Sequence, residues 1–328
     1  MKKTLLLAIM FVSIISVQAV VKVAYITFQK TMEITATTVQ NDPIIQTLSA
    51  DPNLAVTVKV LTAVAVGDLI TDLDTYDVII VQEPFNSAAG VLTTGGSLAL
   101  KSIPKPFIYN KTYSLRNGKA LATSSAVAAD AAVLNITLGA GALTNDLFKA
   151  CTISSSNEIN LFVAGMTDTG GAGTKSLNYT TGNVISGSAT LLAQPTGVTT
   201  AAIAINDIPA GTTIDSETTK SRMITFCMNT GAICGSAGKN ITDDGLTIWR
   251  NAVYMLGGLP VPATKATLPS IGAGVNTLNN SSEVISVDYY NVNGIKVLDP
   301  TVLTNGIFVK RTTYQSGSVK SEKVVFVK

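Results

Sequence analysis

The chain has 328 residues, of which 46% are apolar, 13% are charged and none is histidine, with a formal net charge of +2. Such a length supports a sizeable buried core, and a charge content well below the roughly 25% of an average soluble domain leaves solubility to Thr, Ser, Asn and Gly. The lack of histidine excludes a Ser-His-Asp triad, a Cys-His pair and an imidazole zinc site. Near-neutrality without a basic run excludes the electrostatic footprint of a nucleic-acid binder.

The first element in chain order is an export signal over residues 1–19. Lys2 and Lys3 supply the positive start, residues 5–12 an apolar run, and Val17 and Ala19 the small residues that precede a cleavage before Val20. Ser13, Ser16 and Gln18 close the run before the roughly 20 apolar residues of a membrane span accumulate. The mature chain is therefore expected to carry 21 basic and 21 acidic residues and no transmembrane segment. The segment predicts an exported chain.

Residues 20–259 read as an α/β domain. Residues 21–28 form an almost unbroken β-prone run of the kind a buried parallel strand requires. Asp42 then caps a helix that has Pro43 at its first position. A second strand is expected over 54–61, a short helix over 66–73, a third strand over 76–81, part of a crossover over 94–100 and a strand over 106–110. The Ala-rich stretch 124–134 is helix-compatible, 145–150 is a shorter helix candidate, and 161–164 reads as another strand. Residues 167–211, crowded with Thr, Gly, Asn and Ser, read as an insertion of loops and short strands.

Order returns at 222–228, an expected central strand, and at 243–256, where Leu246, Trp249, Val253 and Leu256 share one helical face. Thr242 or Asp243 caps that helix, Gly257 and Gly258 stop it, and Trp249 reads as a core anchor. Strands alternating with crossovers predict a three-layer α/β domain with a mainly parallel sheet, flavodoxin-like in class. A linker over 260–282 leads to a small antiparallel, β-sandwich-like module over 283–328. Its short β segments are separated by Asn293-Gly294 and Ser316-Gly317, which suit hairpin turns.

Three cysteines occur, Cys151, Cys227 and Cys234. Cys227 and Cys234 are spaced for a short-loop disulfide in an exported chain, and all three read equally as small buried hydrophobes. No metal ligand set and no cofactor motif emerges. The glycine-rich stretches 165–173 and 231–238 lack the phosphate-loop ending and the dinucleotide spacing, and so read as loops. Asp72, Asp74 and Asp77 lack the alternation and closing glutamate of a calcium loop.

Two resemblances add to this reading. The tail, through Tyr289-Tyr290-Asn291-Val292-Asn293-Gly294-Ile295-Lys296-Val297, Gly306-Ile307-Phe308-Val309-Lys310, Ser316-Gly317-Ser318-Val319-Lys320 and Glu322-Lys323-Val324-Val325, resembles the C-terminal sorting domain of the Bacteroidetes type IX secretion pathway. That resemblance implies passage across the outer membrane, removal or attachment of the tail at the surface, and the type IX machinery as a partner. The α/β region, through residues 21–28, 76–81 with Glu83, and 222–228 with 243–258, is similar in order to the glutamine-amidotransferase-like superfamily and its trehalose-utilisation-type domain. The nucleophilic cysteine at a strand-to-helix elbow and its histidine are missing, so amidotransferase chemistry is excluded.

Open α/β sheets bind ligands beyond the carboxyl ends of their strands. Glu83 and Asp168 are the candidate acid and base of a glycosidase-like pair. Gln82, Asn110, Lys111 and Asn229 are the candidate hydrogen-bonding groups for a sugar or peptide bound without reaction. The leading expectation is an exported, non-catalytic surface protein with a polar binding face, glycan being one ligand class. A carbohydrate-active hydrolase and a structural envelope protein are the alternatives.

Overall fold

The computed structural model describes residues 20–28, 42–61, 73–83, 104–110, 127–165, 176–181, 189–198, 202–214, 217–269, 284–291, 296–297, 306–314 and 319–326. The expected signal segment, most of the helix at 66–73 and the crossover at 94–100 lie outside these residues. The first strands are β1 (Val21–Phe28), β2 (Leu54–Leu61), β3 (Val78–Val81), β4 (Phe107–Tyr109), β5 (Val127–Ala131), β6 (Asn135–Leu138) and β7 (Glu158–Asn160). They continue with β8 (Leu177–Thr181), β9 (Thr190–Pro195), β10 (Ala202–Ile203), β11 (Ile205–Ile208), β12 (Thr213–Ile214), β13 (Glu217–Thr218) and β14 (Met223–Thr225). The described α-helices are α1 (Pro43–Ser49), α2 (Thr230–Gly238) and α3 (Asp243–Leu256).

Nine of these strands make one sheet in the order β2-β1-β3-β4-β14-β11-β9-β6-β7. The first five run parallel, and the last four add antiparallel to β14 and to one another in turn. The result is a mixed α/β domain on a mainly parallel sheet, with β14 at its centre as the sequence suggests. The inner parallel strands β1, β3, β4 and β14 are largely apolar and buried on both faces, whereas the edge strand β2 keeps Ala55 and Val60 exposed. Val23, Tyr25, Val78, Ile80, Ile108 and Ile224 point into the core shared with α1 and α3, while Ala24, Ile26, Ile79, Val81, Phe107 and Met223 are equally buried on the other side.

The helices follow their caps. Asp42 accepts from Ile44 N and Ile45 N with Pro43 at the first turn, so α1 starts where the sequence places it. Thr242 is the cap of α3, its Oγ1 accepting from Gly245 N at 3.1 Å, and Asp243 and Asp244 complement the helix dipole in the first turn. The apolar stripe of α3 is fully buried, and Trp249 meets Phe226 edge-to-face at 4.6 Å and 78° while its Nε1 donates to Met228 Sδ. Gly258, at φ +70, ends the helix in a left-handed conformation that suits glycine, and Leu259 N bonds back to Tyr254 O.

Four readings of the sequence change. Within 124–134, residues 127–131 form β5, paired along all five residues with β8, so that cross-strand pairing overrides the helix propensity of alanine. Residues 161–164 form no strand; Phe162 makes one isolated bridge with Ile241. The glycine-rich 231–238 is not a loop but most of α2, held by the Asn229 cap and by burial of Ala232, Ile233 and Cys234, which outweighs the roughly 1 kcal/mol that each helical glycine costs. Within 167–211, β9 and β11 are integral to the main sheet, while β8 and β10 join β5 in a sheet of three strands.

Residues 259–269, at the start of the expected linker, form a strap along α3. Val261 and Ala266 are buried, Ala266 N donates to Thr247 Oγ1, Arg250 Nη2 donates to Thr264 O at 2.5 Å, and Lys265 pairs with Asp244 at 2.6 Å. The C-terminal module is an antiparallel sheet of its own, in the order β16-β15-β17-β18, made of β15 (Val284–Asn291), β16 (Lys296–Val297), β17 (Gly306–Tyr314) and β18 (Val319–Phe326).

Candidate functional site

The neighbours of β1 are β2 on one side and β3 on the other. The chain therefore reverses its direction of travel across the sheet at β1 and β3. The crevice at the carboxyl ends of such a pair is where open α/β sheets place ligands. Gln82 and Asn110 immediately follow β3 and β4, and Asn229 and Thr230 follow the β14 region into α2.

A continuous buried hydrogen-bond chain occupies this edge. Asn110 clamps the main chain of Met228 from both sides, its Oδ1 accepting from Met228 N at 2.9 Å and its Nδ2 donating to Met228 O at 2.8 Å. The same Nδ2 donates to Gln82 Oε1 at 2.8 Å, and Gln82 Nε2 donates to the Tyr25 hydroxyl at 2.6 Å. Tyr25 in turn donates to Asp42 Oδ2 at 2.5 Å, while Asp42 Oδ1 caps α1 through Ile44 N at 2.8 Å. Thr230 Oγ1 stands 3.5 Å from Gln82 Oε1. Gln82 and Asn110 are 0% exposed and Asp42 is 4% exposed, so the chain is interior throughout.

Burial pushes the Asp42 carboxyl up to about 6, against the opposing pull of the hydrogen bonds from Tyr25, Ile44 and Ile45. Burial and the neighbouring Asp42 hold the Tyr25 hydroxyl well above its ordinary range, so it stays a donor. Burial likewise raises the Cys227 and Cys234 thiols, with the charge of Asp42 adding to the effect on Cys234. Both cysteines are free, with no bridge between them, as is Cys151. They are inert buried thiols rather than nucleophiles.

The residues singled out from sequence separate into three groups. Gln82 and Asn110 are brought together, but their amide groups are spent on each other, on Tyr25 and on Met228. Asn229 and Glu83 are half-buried, Asn229 capping α2 by accepting from Ala232 N at 3.2 Å, and Glu83 N lying 3.4 Å from Gln82 Oε1. Lys111 and Asp168 lie outside the described residues, so the Glu83–Asp168 separation is not defined. Sequence reasoning missed Tyr25 and the second role of Asp42. The available signal was a tyrosine inside an otherwise apolar buried strand, whose hydroxyl must find a partner.

Among the described residues no group of three or more Cys, Asp or Glu side chains is placed to hold a metal ion, and no helix is long and apolar enough to cross a membrane. No protein-family model matches the chain, and no curated protein matches it as a relative.

Proposed function

We propose that this chain is an exported surface protein that binds rather than transforms its ligand, with the α/β domain as the binding unit and the C-terminal module as a type IX-like sorting signal. The single observation that carries the reading is the form of the tail. Its β segments fold as a separate antiparallel sheet in which Tyr289 lies opposite Lys310, Lys310 opposite Glu322, and Tyr290 opposite Val309. Those are the residues on which the sorting-domain resemblance rests. A β-sandwich-like module and an amidotransferase-like three-layer domain are the finer fold assignments that go with it. The parallel order β2-β1-β3-β4-β14, with its four inner strands largely buried on both faces, supports the latter.

The binding reading draws on the locked strand ends. With Gln82 and Asn110 acting as positioning residues, a sugar or another neutral polar ligand would be met by the half-buried Asn229 and Glu83. The test is expression of the full chain, and of a chain lacking 283–328, in a type IX-competent host, followed by fractionation. The full chain is expected at the surface or in the medium and the shortened chain in the periplasm; identical distribution of the two overturns the sorting role. Titration of the full chain with a panel of oligosaccharides is expected to show binding with no new reducing ends. Release of reducing ends would instead identify a hydrolase.

A further inference from the structure

The two edges of the nine-stranded sheet differ. One is β7, only three residues long, a short strand of the kind that discourages further pairing. The other is β2, eight residues long and paired with β1 in register from Leu54 to Leu61 without a bulge. Among the described residues no strand lies on its far side. β2 is rich in β-branched residues, holds no proline and carries one charge, Lys59. The Lys59 ammonium lies 5.5 Å from the centre of the Tyr76 ring, which stands shortly before β3, so this side chain leans inward across the sheet and does not guard the edge.

The register fixes which main-chain groups the edge presents. Val21 N donates to Asn53 O at 2.9 Å, and bonded residues alternate along a parallel strand. Ala55, Thr57 and Lys59 therefore turn their N–H and C=O groups toward β1, and Val56, Val58 and Val60 turn theirs outward. The side chains of Val56 and Val58 are only half-buried against the core, and Val60 is 41% exposed. The edge thus offers a line of main-chain donors and acceptors beside an apolar row that nothing among the described residues continues.

We propose that β2 is a self-association edge, through which two copies of the chain pair antiparallel about a two-fold axis at Thr57 and join their nine-stranded sheets into one. A two-fold normal to the sheet sets residues of equal parity opposite each other, so the outward groups of Val56 and Val58 exchange hydrogen bonds with those of the partner's Val58 and Val56. Val60 comes opposite the partner's Leu54, which continues the apolar row across the junction. Thr57 meets its own copy in a non-hydrogen-bonded pair with Cα atoms about 4.5 Å apart, a favourable cross-strand combination. Lys59 comes opposite the partner's Ala55, so the two lysines stand about 14 Å apart along the strands, beyond the screening length of about 8 Å at physiological salt. An axis at Val58 would halve that separation, which favours Thr57. In hydrogen bonding, apolarity and charge the strand is complementary to itself, and this commits the edge to a second copy rather than to a foreign strand.

Sedimentation equilibrium of the full chain over about 10–500 µM is expected to show a reversible monomer–dimer equilibrium, weak because a strand edge is a small interface. Thr57→Lys sets two like charges across the axis and is expected to weaken the dimer about fivefold, while Thr57→Val keeps it. Ala55→Glu, opposite Lys59, is expected to strengthen it about two- to fivefold. Thr57→Cys brings two thiols within disulfide reach, whereas Ala55→Cys leaves them about 14 Å apart, so mild oxidation is expected to link only the first variant into a dimer. The native cysteines, buried or half-buried, do not compete. A chain that stays monomeric over this range, or a dimer that is unchanged by Thr57→Lys or links equally at 55 and 57, overturns the proposal. A Thr57→Lys chain that has unfolded is told apart by its melting curve, and the cross-linking of Thr57→Cys then decides. These readouts need neither a ligand nor a secretion host, and so stand apart from the binding and sorting tests.

Discussion

Asn206 on β11 lies directly opposite Thr225 on β14, and each buries a polar atom, Asn206 Nδ2 and Thr225 Oγ1, that has no hydrogen-bond partner among the described residues. The pair sits where the parallel half of the sheet gives way to the antiparallel half. Thr225→Val keeps the shape and removes the desolvated hydroxyl, so it is expected to stabilise the protein by about 1 kcal/mol, read as a rise in the urea midpoint at unchanged slope. A loss of stability would show that the hydroxyl has a partner.

Asn110→Ala is expected to act in the opposite sense. It leaves Met228 N and Met228 O without the amide that clamps them in a fully buried setting. Two orphaned groups together cost about 2–5 kcal/mol. The check is equilibrium denaturation; a change under 1 kcal/mol would mean that water or a neighbour replaces the amide.

The close approach of α3 to the 161–162 region depends on a missing side chain. A Cβ on Gly245 would lie 2.6 Å from Ile241 Cγ1 and 3.0 Å from Leu161 O. Gly245→Ala is therefore expected to cost about 1–3 kcal/mol through overpacking, despite the better helix propensity of alanine. Gly141→Ala, with nothing within 4 Å of the new carbon, is the control and is expected to stay within about 0.5 kcal/mol of the parent. Thermal melts of the two variants distinguish the cases.

Stability should also depend on pH through Asp42. Its folded value of about 6 lies above the ordinary 3.8, so the folded state binds this proton more tightly than the unfolded chain. The contribution is fully present below about pH 4 and is lost as pH rises through about 6, with an amplitude of order 3 kcal/mol. Asp42→Asn is expected to flatten the stability profile in that window. A parent profile that instead falls on acidification from pH 6 to 4, by more than the variant's, would contradict the assignment.

The cysteines give a chemical test. With all three thiols free and Cys227 and Cys234 buried, the intact folded chain is expected to show no mass change on reduction and very slow reaction with a thiol reagent. Labelling at all three positions should follow unfolding. Cys151, half-buried and pushed up to about 12 chiefly by burial, is expected to react first among them but still slowly.

The regular part of this architecture is legible in the residues. The run Val21–Phe28, the Asp42-Pro43 helix start and the Leu246, Trp249, Val253, Leu256 stripe each carry a local signal strong enough to stand alone, and each element appears with those residues. Failures fall where a distant partner decides. Residues 127–131 become a strand because β8 pairs with them, and 231–238 become a helix because the core and the Asn229 cap hold them. The site was half legible. Gln82 and Asn110 could be placed at strand ends from order alone, but their consumption by Tyr25 and Met228 depends on register between strands 57 and 118 residues apart in sequence.

The long reach of these contacts bears on when the protein can fold. The Tyr254 hydroxyl donates to Asp51 across 203 residues, and β4 pairs with a central strand, β14, that lies beyond the whole antiparallel half in sequence. Closing contacts of that span is slow, because chain entropy must be lost before they form. The parallel core needs both β14 and α3, so it is completed only once residues up to 256 are available. Lateness of folding is thus written into the strand order.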